Sequence, residues 1–144
     1  MRRLALILAV AAVGSSPPSL AAEAGADAAR SYRIVTEGSS RALKVGEKGK
    51  AVVAIEPLVQ GVHVNREFPL KYKVETSGGL KVEKADLRRA DAVDPGADNP
   101  RFEVPVTATA PGAQQMTVHM RFAICSDTWC VPQARTVALA VEVR

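Results

Sequence analysis

The feature that most constrains this chain is a hydrophobic period of two. Ala51-Val-Val-Ala-Ile55, Leu70-Lys-Tyr-Lys-Val74, Leu80-Lys-Val82, Phe102-Glu-Val-Pro-Val106, Met116-Thr-Val-His-Met-Arg-Phe122 and Val137-Ala-Leu-Ala-Val-Glu-Val143 each place an apolar side chain at every second position. Side chains of a strand alternate between faces, so this spacing predicts strands with one buried face. Turn chemistry separates the runs at Gly46-Glu-Lys-Gly49, Ser77-Gly-Gly79, Asp94 to Pro100 and Pro111-Gly112. No window after the first two dozen residues carries a helical stripe, and no internal repeat is visible. Seven or eight short strands in one domain over residues 31–144 predict an all-β, immunoglobulin-like antiparallel β-sandwich, with a small barrel as the alternative. Ala85 to Asn99 lacks alternation and is rich in Asp, Arg and Gly, so it reads as a loop, either solvated or a lid over a site.

The N-terminus sets the compartment. Arg2 and Arg3 precede the apolar run Leu4 to Val13, and Gly14 to Ala22 form a small and polar end, the pattern of a cleaved signal peptide over residues 1–22. The run is too short for a bilayer, which needs roughly 20 apolar residues, and no later segment is longer. The expectation is a periplasmic or secreted protein with no membrane insertion after cleavage. Residues 23–30 are Ala-rich with mixed charge and read as a flexible leader. Setting aside Arg2 and Arg3 leaves 17 Lys+Arg against 15 Asp+Glu, scattered singly, which argues against a nucleic-acid surface.

Both cysteines, Cys125 and Cys130, lie in Arg121-Phe-Ala-Ile-Cys-Ser-Asp-Thr-Trp-Cys-Val-Pro132. The strands on either side most simply pair as a hairpin, with the cysteines flanking its tip. Opposed residues of an antiparallel pair lie near the Cα separation that a disulfide needs, and an exported protein meets an oxidising compartment. As a staple the bond is poorly placed: closing a loop of about six residues contributes only about 2 kcal/mol. That leaves a structural hairpin disulfide and a bond kept for exchange chemistry both open. A metal site is the third reading, using Cys125, Cys130, His63 and His119, with Met116 and Met120 inviting copper. Strand alternation opposes it, because His119 points away from the face that Met116 and Met120 share. The reading therefore assigns no metal and no cofactor. No acid–base pair, nucleophilic triad or phosphate loop is evident.

Cys125-Ser-Asp-Thr-Trp-Cys130-Val-Pro132, followed by Arg135-Thr-Val137-Ala-Leu139, resembles the cysteine motif of the N-terminal periplasmic domain of the thiol:disulfide interchange protein DsbD. Arg101 to Thr107 resembles the strand before that hairpin, and Gln60 to Asn65 the Gly-aromatic/His stretch ahead of an edge strand. The resemblance implies an immunoglobulin-like domain that passes reducing equivalents between thioredoxin-like or disulfide-isomerase-type partners. It implies Cys130 as the exposed sulfur and Cys125 as the resolving one. Asp127 and the tip backbone would tune the thiolate, although a nearby carboxylate should raise a thiol pKa. Trp129 would shield the bond or pack on the sandwich rim, Pro132 belongs to the motif, and His63 would sit beside the hairpin or be an ordinary strand histidine. Three departures stand beside the resemblance. The cysteine spacing is one residue shorter, and the stretch aligned with the family's protective cap, Ala85 to Asn99, has no aromatic. Membrane and thioredoxin-like domains are absent from this chain, so a separate membrane electron donor is expected.

Overall fold

The computed structural model describes residues 17–144, so most of the expected signal peptide lies outside the described residues. Among the described residues, ten strands form two sheets. They are β1 (Tyr32–Val35), β2 (Ala42–Leu43), β3 (Lys48–Pro57), β4 (His63–Val64), β5 (Lys71–Thr76), β6 (Leu80–Val82), β7 (Asp86–Arg88), β8 (Arg101–Ala108), β9 (Gly112–Cys125) and β10 (Cys130–Val143). One sheet has the order β1-β3-β8-β6. The other has the order β2-β10-β9-β5-β7, with β4 also on β9. All pairings are antiparallel except β2 with β10. The chain is an immunoglobulin-like β-sandwich.

The core forms where the alternating runs face each other. Val53, Ile55, Phe102, Val104 and Val106 come from one sheet, and Tyr72, Val74, Met116, Val118, Met120, Phe122 and Ile124 from the other. Tyr72 meets Phe102 with ring centroids 4.5 Å apart, and Tyr32 packs edge-on to Phe122 at 5.4 Å. Burying these aromatics supplies the largest share of apolar area per residue.

Two expectations need correction. Glu23 to Arg30, expected as a flexible leader, lies in helix α1 (Leu20–Arg30), which packs on β1 and β10. Ser19 caps the helix, its side chain accepting from Ala22 N, and alanines supply helix propensity. Ala28 is its only buried residue, so no apolar stripe existed to be read. The expected end of the signal peptide, at Ala22, falls within this helix. The second correction concerns Ala85 to Asn99, expected as a loop: it contains β7 and a 3-10 turn at Arg89–Asp91.

Candidate functional site

The site is built where β9 loses a continuous neighbour. On one edge of β9, β4 pairs Val64 with Ile124 and β5 pairs Lys71 with Arg121. Two residues of β9, Phe122 and Ala123, therefore face the six that join β4 to β5, Asn65 to Leu70. The surplus is pushed out as a bulge, and Asn65 N donates to Ala123 O at its start.

Cys125 and Cys130 sit directly opposite each other at the tip of the β9–β10 hairpin and are joined as a disulfide. Their Cα atoms are 4.1 Å apart, the closer class of antiparallel pair. Ser126 N donates to Trp129 O at 2.8 Å and closes the tip, while Ser126 Oγ accepts from Thr128 N and Trp129 N. Alternation puts Met116, Met120 and Ile124 inward, so Cys125 projects from the outer face of its sheet. It is nevertheless 2% exposed, whereas Cys130 is exposed. Cys130 opens into a depression of about 380 Å³ lined by Asn65, Glu67, Phe68, Pro69, Ala123 and Pro132.

Asn65, half-buried, touches both sulfurs. Its Nδ2 donates to Cys125 Sγ at 3.3 Å and lies 3.7 Å from Cys130 Sγ. Its Oδ1 accepts from Glu67 N at 2.8 Å and Phe68 N at 2.7 Å. Backbone N–H groups only donate, so the oxygen must face the bulge and the amide nitrogen must face the sulfurs. One side chain thus shapes the bulge and presents a donor to the bond.

The stretch from Ala85 to Asn99 braces this arrangement from behind. Arg89 donates to Asn65 O at 3.1 Å, Val64 O at 3.4 Å and Ala97 O at 3.0 Å. Partial burial holds its guanidinium below the usual arginine range, with the Arg66 cation acting in the same direction. Asp98 O accepts from Val64 N, and Arg66 pairs with Asp98. Asp91 orients the turn that bears Arg89: its carboxylate accepts from Lys84 Nζ at 2.6 Å and Arg88 N at 2.8 Å, bonds that hold it below the usual carboxyl range. Tyr72 lies beneath, its hydroxyl buried and without a partner among the described residues, and burial pushes its pKa up.

The residues singled out from the sequence are only partly brought together. His63 is the register partner of Cys125, and its Nδ1 lies 3.2 Å from Gly61 O, which requires the proton on that nitrogen. Pro132 lines the depression. Trp129 does not: it packs against the hydrophobic core and lines a separate cleft of about 350 Å³ beside Asp27, Arg30 and Val59. Asp127 is exposed and flanks Gly61, whose added Cβ would lie 4.0 Å from Asp127 Oδ2. His119 lies six residues along β9 from Cys125, bonded to Glu75 and Thr136 on the outer face, while Met116 and Met120 are core. Among the described residues, no three His, Cys, Asp or Glu side chains group as metal ligands. No helix among them is long and apolar enough to cross a membrane. Asn65, Phe68 and Arg89 were not singled out in the sequence, where Asn65 enters only as the end of the Gln60 to Asn65 stretch.

No protein-family model and no curated protein matches the chain. Solved structures match through the fold. A chain of the complex between Zinc 2-glycoprotein and Prolactin inducible protein from human seminal plasma is 12% identical with a TM-score of 0.50, over 78% of this chain and 93% of that one. Domains 4 and 5 of the S-layer protein SbsC are 14% identical with a TM-score of 0.43, over 77% of this chain and half of that one. Native E. coli alpha-2-macroglobulin is 16% identical with a TM-score of 0.49, over 79% of this chain and 7% of that one. At these identities the likeness is one of fold alone.

Proposed function

We propose that the chain is an exported thiol–disulfide exchange domain of the DsbD N-terminal kind, working in the periplasm between thioredoxin-like or disulfide-isomerase-type partners. The observation that carries the reading is the asymmetry of the bond: one sulfur exposed in a depression, the other buried beside it, both on the outer face of a sheet that continues well beyond them.

In the reduced domain the Cys130 thiolate attacks a partner disulfide. A Cys130–partner bond forms, the partner S–S bond breaks, and one partner thiolate leaves. Cys125 then loses its proton to solvent and attacks Cys130 Sγ; the Cys125–Cys130 bond forms and the second partner thiolate leaves. Two electrons pass to the partner, and the reverse sequence reloads the domain from a separate membrane donor.

In a Cys125→Ser protein the first step remains and the second is blocked, so a Cys130-linked partner should accumulate in a periplasmic extract and disappear with reductant. Absence of any such adduct, together with a reduction potential well below that of the glutathione pool, would defeat the proposal. The cleft beside Trp129, with Leu58 and Val59 exposed next to it, favours a second reading: a non-enzymatic immunoglobulin-like binding module whose disulfide pins the hairpin. A carrier keeps its fold in both redox states, whereas a pinned module loses stability on reduction.

A further inference from the structure

We propose that Asn65 is a positioning residue for the second half of the exchange: its amide nitrogen stabilises the Cys125 thiolate that resolves the mixed disulfide. The inference deepens the exchange reading and rests on it for its biological meaning, though not for its chemistry.

Cys125 must ionise in order to attack Cys130, yet it is 2% exposed, and burial disfavours a thiolate. A buried anion needs a donor. Among the described residues, Asn65 Nδ2 is the side-chain donor recorded on either sulfur, and it is nearer Cys125, at 3.3 Å, than Cys130, at 3.7 Å. The Glu67 and Phe68 amides hold the carboxamide in that orientation through bonds that do not involve the sulfurs. Arg89 holds the Asn65 carbonyl from the other side. The donor is therefore in place before the charge develops, and a hydrogen bond to an anion is stronger than one to a neutral sulfur. Cys130 faces open solvent and has no comparable need.

The test uses the fully reduced chain and the aromatic disulfide 5,5′-dithiobis(2-nitrobenzoate), mixed in equal amounts. Attack by Cys130 releases one coloured thiolate and leaves a Cys130–aryl disulfide. Attack by Cys125 on Cys130 Sγ releases the second and restores the Cys125–Cys130 bond. The two bursts read the two steps separately. Asn65→Asp keeps the oxygen that the bulge needs but replaces the donor with a negative charge. It should slow the second burst about tenfold more than the first near neutral pH, and both should recover as pH rises. Asn65→Ser, whose hydroxyl can still accept from the bulge amides but is too short for the sulfurs, should slow the second burst less.

Equal second bursts in the parent and the Asp variant, or equal slowing of both bursts, would overturn the inference. A third measurement needs no variant: in reduced parent protein the Asn65 side-chain amide resonances should titrate with the Cys125 thiol, and their failure to move would overturn it as well. The reagent reports resolution whether or not a protein partner exists. Loss of partner exchange with the two bursts intact sinks the carrier reading alone; unchanged bursts with partner exchange intact sink the role of Asn65 alone.

Discussion

The two ends of the β9–β10 hairpin are made of the same two strands and differ in almost everything else. At the Gly112–Val143 end, Met116 and Val118 on β9 and Val141 and Val143 on β10 are buried; β5 pairs β9 without interruption from Met116 to Arg121, and β2 with its flanking bonds pairs the end of β10. At the Cys125–Cys130 end, β9 keeps a two-residue neighbour and a six-residue bulge, one sulfur faces solvent, and the polar Asn65 side chain contacts the sulfurs on the outer face while Phe122 and Ile124 stay in the core. The difference divides labour. On the proposed exchange reading, the far end holds the sandwich together while the tip changes its covalent state.

Removing packing at the far end gives the largest effect. Met116→Ala should cost about 3 kcal/mol, because a fully buried Met leaves both a transfer loss and a cavity. Urea unfolding checks this, and the two-burst exchange kinetics should stay those of the parent. A change in exchange rate matching the loss of stability would erase the division between the ends.

Opening the tip comes next. The double variant Cys125→Ser with Cys130→Ser should lose about 2 kcal/mol, the entropy of a very short loop, and remain folded with the parent's sheet signature. Collapse of the fold without the bond would move the whole molecule to the pinned-module reading.

How much of this contrast the sequence reveals follows the same line. The far end is legible because Met116, Val118 and Met120 alternate with polar residues and the partner strand repeats the pattern in Val137, Leu139, Val141 and Val143. The tip is legible only through its cysteines and the small motif around them. Strands of two residues such as β2 and β4 are too short to show a period, and β4 is the one that carries Asn65 to the sulfurs. Asn65 itself looks like any loop-favouring residue. Its role depends on a register offset between β4 and β5 that emerges only when both pair with β9. Arg89 is hidden for a related reason: its partners are the carbonyls of Val64, Asn65 and Ala97, and backbone oxygens carry no sequence signal. Helix α1 is hidden because it buries one alanine.

Arg89 separates bracing of the tip from stability of the whole. Arg89→Met removes the charged donors from three carbonyls and should cost about 1.5 kcal/mol. The loss should be local: amide exchange should accelerate at Val64 and at Glu67 and Phe68 while Val118 stays protected. Uniform acceleration along β9 would mean that the two ends are not independent.

The smallest effect is a titration within that brace. Asp91 accepts from Lys84 Nζ and Arg88 N, and these bonds set its pKa below the ordinary value of 3.8 in the folded state. A carboxyl whose folded pKa is depressed stabilises the fold above its unfolded pKa and loses that contribution as pH falls through the folded one. The support that the Arg88–Asp91 turn gives to Arg89 is therefore complete at neutral pH and fades only below pH 3.8. The Arg88 amide resonance donates directly to the carboxylate and reports its charge, so its titration midpoint should lie below 3.8. Lys84→Met should move the midpoint up, and Asp91→Asn should abolish it. Because Lys84 is exposed and Asp91 is partly open to solvent, salt should shift the midpoint toward the ordinary value. A midpoint at or above 3.8 would detach this turn from the brace and leave Arg89 to hold the tip unaided.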